Sequence, residues 1–232
     1  MCTYYETGGP AQLGLYFGEL PQDENWRDHM SPLYRGVVLR PRAAGTELVT
    51  GQWGMIPPRS ETNIPKGKDG KRLNTVNARR EGMAKSWTFG GAWRKGQRCL
   101  IPARQFVEPY WGTGKHIAWQ FERPDGTPWA LAGLWDVWTD PATGELWTSY
   151  TMITQNADHH PLMRLMHRPD PKRPPDKQDK RAVVPVERGD WDAWLRGTVE
   201  DAEALIKLPP VEAFAHRAKD PAQQVELPIT TE

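Results

Sequence analysis

The chain has 232 residues, 25% of them charged, with a mean hydropathy of −0.71 and a formal net charge of +1. That length buries a substantial core as one domain, and no apolar run approaches the roughly 18 residues that a membrane span needs. The N-terminus carries neither a basic region nor an apolar run of the kind that marks a secretory signal, and the two cysteines, Cys2 and Cys99, allow at most one bridge, so a reducing, cytoplasmic setting is expected.

Taken in chain order, "MCTYYETGGP" places a cysteine directly behind the initiator methionine. Runs rich in β-branched and aromatic residues then predict strands at 36–40 ("GVVLR") and 47–56 ("ELVTGQWGMI"). The stretch 59–81 holds seven Lys/Arg against three Asp/Glu, and "NARREGMAKS" at 77–86 predicts a helix leaving it. Further strands are predicted at 97–102, 116–122, 129–138, 146–154 and 181–186; the turn sequences "RPDGTP" and "DPATGE" between the later ones read as an antiparallel meander. "ADHHPLMRLMH" (157–167) predicts a short helix running into a second basic stretch, 164–181, again with seven Lys/Arg and three Asp/Glu. Helices follow at 190–195 and at 198–208, the latter opened by Thr198 with Asp201 three residues on. Residues 1–208 are expected to form the domain, and the polar, Pro-containing residues 209–232 a partly ordered tail. The fold class is α+β, a single domain with a largely antiparallel central sheet flanked by short helices.

The two basic stretches are each +4, which leaves the remainder of the chain at −7. Such asymmetry suits an anion-binding groove on an otherwise acidic protein, although two solvated loops would give the same count. Most of the twelve tryptophans belong in the core. Trp53, next to the first basic stretch, is the foremost candidate to stack on an exposed base.

Once Met1 is removed, Cys2 carries an α-amine and a thiol on adjacent carbons, both partly in nucleophilic form near neutral pH. This 1,2-aminothiol condenses with an aldehyde to an imine, which the thiol closes into a thiazolidine ring. Asn77 offers a donor and an acceptor together. Glu108 lies just past an apolar run, where burial raises a carboxyl pKa. His167, between an apolar turn and a cationic loop, is the best placed of six histidines for acid–base work near an anion. Each of these has an ordinary structural account when taken alone.

Their order and wording, however, resemble a known family. Cys2 behind Met1, "WGMIPP" (53–58), "NARRE" (77–81), "RCLIPARQFVEPYW" (98–111), "LAGLWDVW" (131–138), "YTMIT" (150–154), His167 and "AVVPVERGDWDAWL" (182–195) are similar to the SOS response-associated peptidase (SRAP) family of abasic-site processing proteins. The resemblance implies a barrel-like sheet and a monomer without cofactor or metal. It also implies a DNA damage response function: Cys2, freed of Met1 by self-cleavage or otherwise, forms a thiazolidine crosslink with the ring-opened abasic sugar in single-stranded DNA and so shields the lesion. Stopping at the imine gives some lyase activity. Asn77 then positions Cys2 and the sugar, Glu108 transfers protons at the amine, and His167 assists ring opening. Arg79, Arg80 and either Arg168 or Arg181 hold the DNA backbone. The chain departs from the family's usual Cys-Gly-Arg start with Thr3 and Tyr4, and it has a longer loop between His167 and Arg181.

Two other classes fit parts of the pattern. An N-terminal-cysteine hydrolase of the amidotransferase kind also exposes Cys2 and uses its own amine as base. A non-catalytic single-strand binding module needs only the basic loops and the tryptophans. A zinc site is not expected, since Cys2, Cys99 and His167 lack the paired spacing of structural sites.

Overall fold

Short apolar runs separated by Gly and Pro turns build two sheets, which the computed structural model describes over residues 2–230. In chain order the elements are β1 (Tyr5–Glu6), α1 (Pro10–Phe17), β2 (His29–Met30), β3 (Arg35–Pro41), β4 (Thr46–Trp53), β5 (Asn77–Arg79), α2 (Arg80–Met83), α3 (Gly90–Arg94), β6 (Arg98–Ala103), β7 (Gln105–Tyr110), β8 (Ile117–Glu122), β9 (Trp129–Thr139), β10 (Leu146–Asn156), β11 (Arg181–Val183), α4 (Trp191–Arg196), α5 (Val199–Leu205) and β12 (Ala215–Ala218). Among the described residues no helix is long and apolar enough to cross a membrane.

The larger sheet runs β11-β10-β4-β3-β6-β9, and β9 pairs back onto β10, so β3, β4, β6, β9 and β10 close into a five-stranded barrel. Closure removes the free edges that an open sheet exposes. It depends on two eleven-residue strands, with β9 pairing β10 from Leu146↔Thr139 to Met152↔Gly133 and β6 from Arg98↔Leu134 to Ala103↔Trp129. Gly133 stands where both ladders meet, and a Cβ there would fall 2.8 Å from the Thr151 carbonyl oxygen and 2.9 Å from Cys99 Sγ. β5 joins β10 in parallel, as does β4, so the barrel is mixed rather than wholly antiparallel. The second sheet, β12-β8-β7-β1-β2, is antiparallel throughout.

Alternation along the strands serves two cores. Val38, Cys99, Ile101, Leu131, Tyr150 and Met152 pack with the second sheet's Tyr5, Phe106, Trp119 and Phe121, whereas Val37, Leu39, Leu100, Ala132, Leu134 and Ile153 pack under the helices. α5 starts on the Thr198/Asp201 capping box that the sequence predicts, each side chain meeting the other's backbone N–H.

Several expectations are corrected. β4 ends at Trp53 because Gly54 turns the chain at φ +129°. "NAR" is a strand rather than the start of a helix, and α2 holds only Arg80–Met83. Residues 157–167 make one 3-10 turn, Met163–Leu165, because Pro161 disfavours helix at the residue before it. β8 does not join a meander with β9; it pairs with β7. The stretch read as a tail supplies β12, which pairs with β8, and it buries Phe214 and Leu227. α1, α3, β1, β2 and β7 carry no expectation from periodicity.

Candidate functional site

The four residues singled out for chemistry come together where the two sheets meet. β1 pairs with β7 through Tyr5↔Phe106 and Glu6↔Gln105, and the Val107 amide extends that ladder to the Tyr4 carbonyl at 3.1 Å. This register brings Cys2 alongside the stretch that carries Glu108. Asn77 arrives from the barrel side, its strand held parallel to β10 by Met152↔Asn77. Its side-chain amide donates to the Cys2 carbonyl at 2.8 Å, and its buried Oδ1 has no hydrogen-bond partner among the described residues.

His167 is delivered by the turn after residues 163–165. Met166 bridges to Tyr110, the His167 amide donates to the Pro109 carbonyl at 2.6 Å, and the Lys180 ammonium donates to the His167 carbonyl at 2.5 Å. The backbone of His167 sits in the left-handed region, φ 63°, a conformation costing a non-glycine residue about 1 kcal/mol or more that the surrounding contacts must offset. The result is an imidazole Nε2 3.3 Å from Glu108 Oε2 and 3.0 Å from the Arg181 carbonyl. A carbonyl only accepts, so the Nε2 atom carries the proton.

Burial sets the charge state of this group. Cys2 and Glu108 are essentially solvent-free, Asn77 is buried, and His167 keeps 16% of its side chain exposed. Loss of solvation pushes Glu108 up to about 7, with neither oxygen receiving a hydrogen bond from the described residues. Burial likewise pushes His167 down to about 4, keeping the ring neutral. The Cys2 thiol is raised far above its ordinary value, first by burial and then by the Glu108 carboxyl, so it rests as a thiol. Near neutrality the thiol therefore stays protonated and the imidazole neutral, and Glu108 is the member of the three that titrates there. Among the described residues no group of three or more His, Cys, Asp and Glu side chains is placed to hold a metal ion.

The residues expected to touch DNA are placed differently. Trp53 is fully buried, edge-on to Tyr5 at 4.9 Å, with its ring N–H donating to the Val76 carbonyl at 3.0 Å. A ring with no exposed face cannot stack on a base, so its expected role is withdrawn; its apolar neighbours in "WGMI" were the signal that it belongs to the core. Arg80 is committed to Glu203 at 2.6 Å and to the Ile206 carbonyl at 3.1 Å. Arg181 is buried and ion-paired with Glu81 and Asp179. Arg79, half-exposed, pairs with Asp179 at 3.0 Å. Arg168 is exposed, with its guanidinium 5.2 Å from the centre of the Trp111 ring. Lys180, which fixes the His167 backbone, was not foreseen. Nothing in the sequence marks it out from the other cations of its loop.

The profile of the SOS response associated peptidase (SRAP) family matches residues 1–225. The chain belongs to the SRAP family. Similar solved structures include a protein from Bordetella bronchiseptica, 36% identical with a TM-score of 0.81 over 97% of this chain and 100% of that one. A protein from Bacteroides thetaiotaomicron shares the fold at 18% identity, with a TM-score of 0.74 over 94% of this chain and 91% of that one. Among curated proteins, the abasic site processing protein HMCES of Gallus gallus is 30% identical over 143 residues, 51% of this chain and 42% of that protein. The Xenopus tropicalis protein of the same name is 28% identical over 187 residues, 73% of this chain and 51% of that protein. The chain thus spans about half or less of these curated relatives. The barrel and the second sheet described above are those of an SRAP protein.

Proposed function

We propose that this SRAP protein processes abasic sites in single-stranded DNA by forming a thiazolidine crosslink through Cys2 after loss of Met1. The observation that carries the reading is the hydrogen bond from Asn77 to the Cys2 carbonyl at 2.8 Å, which fixes Cys2 where the Glu108 carboxyl, itself 3.3 Å from His167 Nε2, acts on its thiol. The names of the vertebrate relatives point to the same substrate class.

Because the thiol is held protonated, the α-amine is the first nucleophile. Its lone pair attacks the aldehyde carbon of the ring-opened sugar, and the carbonyl π electrons move to oxygen. Glu108, poised near pH 7, takes a proton from the amine nitrogen and returns one to the departing hydroxyl, so that water leaves and an imine remains. The Cys2 sulfur then adds to the imine carbon, forming the C–S bond, while its proton passes to nitrogen. The net change is the loss of one water and the gain of C–N and C–S bonds. Neutral His167, the most exposed member of the group, lies where the sugar would enter; it opens the furanose by moving a proton between the C1 hydroxyl and the ring oxygen. Asn77 Oδ1, lacking a partner among the described residues, is available to accept a hydrogen bond from the sugar or the amine.

The test pairs wild type with Cys2→Ala on single-stranded DNA bearing one abasic site. Wild-type protein of intact mass lacking Met1 should give a heat-stable adduct, and the variant none. An equal yield of stable adduct from the variant would overturn the assignment of Cys2.

A further inference from the structure

The second ionic centre, next to His167 in the chain, carries a charge balance that the basic sequence stretches do not suggest. Asp179 accepts from Arg79 at 3.0 Å, is bridged to Arg181, and faces Arg173 at 3.6 Å. Glu81 holds Arg181 from the other side, and Asp170 approaches Arg173 at 3.5 Å. Three guanidiniums are thereby matched by three carboxylates. Among the described carboxylates only Asp179 touches all three guanidiniums; its side chain is 15% exposed, between the buried Arg181 at 6% and the half-exposed Arg79 and Arg173 at 46% and 45%. Three donors of fixed fork geometry converging on one pair of anionic oxygens match a phosphate as well as a carboxylate.

The backbone reinforces the placement. Asp179 sits at φ 60°, and its amide and that of Lys180 donate to Asp158 at 2.9 and 2.7 Å. Two residues on, the Arg181 carbonyl accepts from His167 Nε2 at 3.0 Å. An anion taken up by these arginines therefore lies one short segment from the reacting centre.

We propose that Arg79, Arg173 and Arg181 form a subsite for a DNA backbone phosphate and that Asp179 occupies it in the free protein, to be displaced when the strand binds. The inference rests on the reading of this chain as a single-stranded DNA binder. It assigns a role to Asp179 and Arg173 and turns the chain's long loop into a competitor for its own ligand. Exchange of one anion for another releases little counterion, so this contact should add less than a free cation does to the salt dependence of binding.

Asp179→Asn isolates the charge, because asparagine tolerates the left-handed backbone as aspartate does. Asp179→Gly removes the side chain from a position where glycine is unstrained and serves if the amide disturbs the loop. Asp176→Asn, an exposed site in the same loop, controls for the gain in net charge. Binding of an undamaged oligothymidylate should tighten about five- to tenfold in Asp179→Asn or Asp179→Gly relative to Asp176→Asn, with a salt slope steeper by about one. No tightening beyond the control, or weaker binding, would overturn the proposal. Adduct formation by wild type on abasic DNA is read separately. An adduct without the Asp179 gain removes the subsite and leaves the crosslinking function; the gain without an adduct does the reverse.

Discussion

The Cys2–Asn77–Glu108–His167 group and the Arg79–Arg173–Arg181–Asp179 group are neighbours built on opposite electrostatic terms. In the first, loss of solvent drives the ionisable side chains towards neutrality, as the raised Glu108 and lowered His167 show. In the second, ion pairs keep charge in place, and Arg181 holds Glu81 below the usual carboxylate range. Condensation of an amine with an aldehyde needs groups that give and take protons cheaply, whereas a polyanion needs fixed cations. Adjacent placement sets the two kinds of environment side by side in one fold.

Substitution at the neutral group should produce the largest effects. Glu108→Gln keeps the shape but cannot transfer protons, so the adduct rate should fall roughly 10²- to 10⁴-fold. The wild-type rate should rise through about pH 7 as Glu108 ionises, and stopped-time adduct yields across pH should show the variant lacking that limb. The same substitution should stabilise the fold. A carboxyl whose folded pKa is raised destabilises the native state once pH exceeds its unfolded value. The penalty grows from about pH 4.5 and is complete above about pH 7, reaching on the order of 3 kcal/mol. Denaturant midpoints should therefore favour Glu108→Gln at pH 8 and converge with wild type near pH 4; equal midpoints at pH 8 would break the contrast between the two groups.

Smaller effects follow from the hydrogen bond and then from the ion pairs. Asn77→Ala leaves the buried Cys2 carbonyl without its side-chain donor, costing about 1–3 kcal/mol of stability by chemical denaturation along with a slower adduct. Arg79→Ala should weaken binding to undamaged single strands a few-fold and flatten its salt dependence by somewhat less than one in slope, because Asp179 already shares that cation. A full loss of one in slope would mean that Arg79 is free in solution.

The barrel strands were legible because their runs are long, apolar and bounded by turn residues, as "WALAGLWDVW" and "LWTSYTMIT" are. β1 and β2 have two residues each and no period to read. β7 was hidden by Pro109, which ordinarily demotes a strand; its carbonyl instead anchors the His167 amide. β5 exists only because β10 offers it a parallel edge, a tertiary cause that overrides the helical look of "NARREG". The four residues of the candidate site are singled out by an ordered resemblance, and their proximity is what only the folded chain supplies. The charge count gives the net charge of each stretch but not its pairing: Glu81, Asp170 and Asp179 are ion-paired with arginines of those stretches, which a linear count does not show.

Burial of Cys2 also imposes an order of events during synthesis. The strand that flanks it, residues 105–110, and the loop that completes the site, up to residue 181, emerge from the ribosome long after residue 2. At roughly 5–20 residues per second that interval is on the order of 10–35 s. An aminopeptidase has that window in which the first peptide bond is part of an open chain. After it closes, Cys2 is buried in the core, so if the proposed mechanism holds, the timing of translation and the completeness of N-terminal processing are coupled.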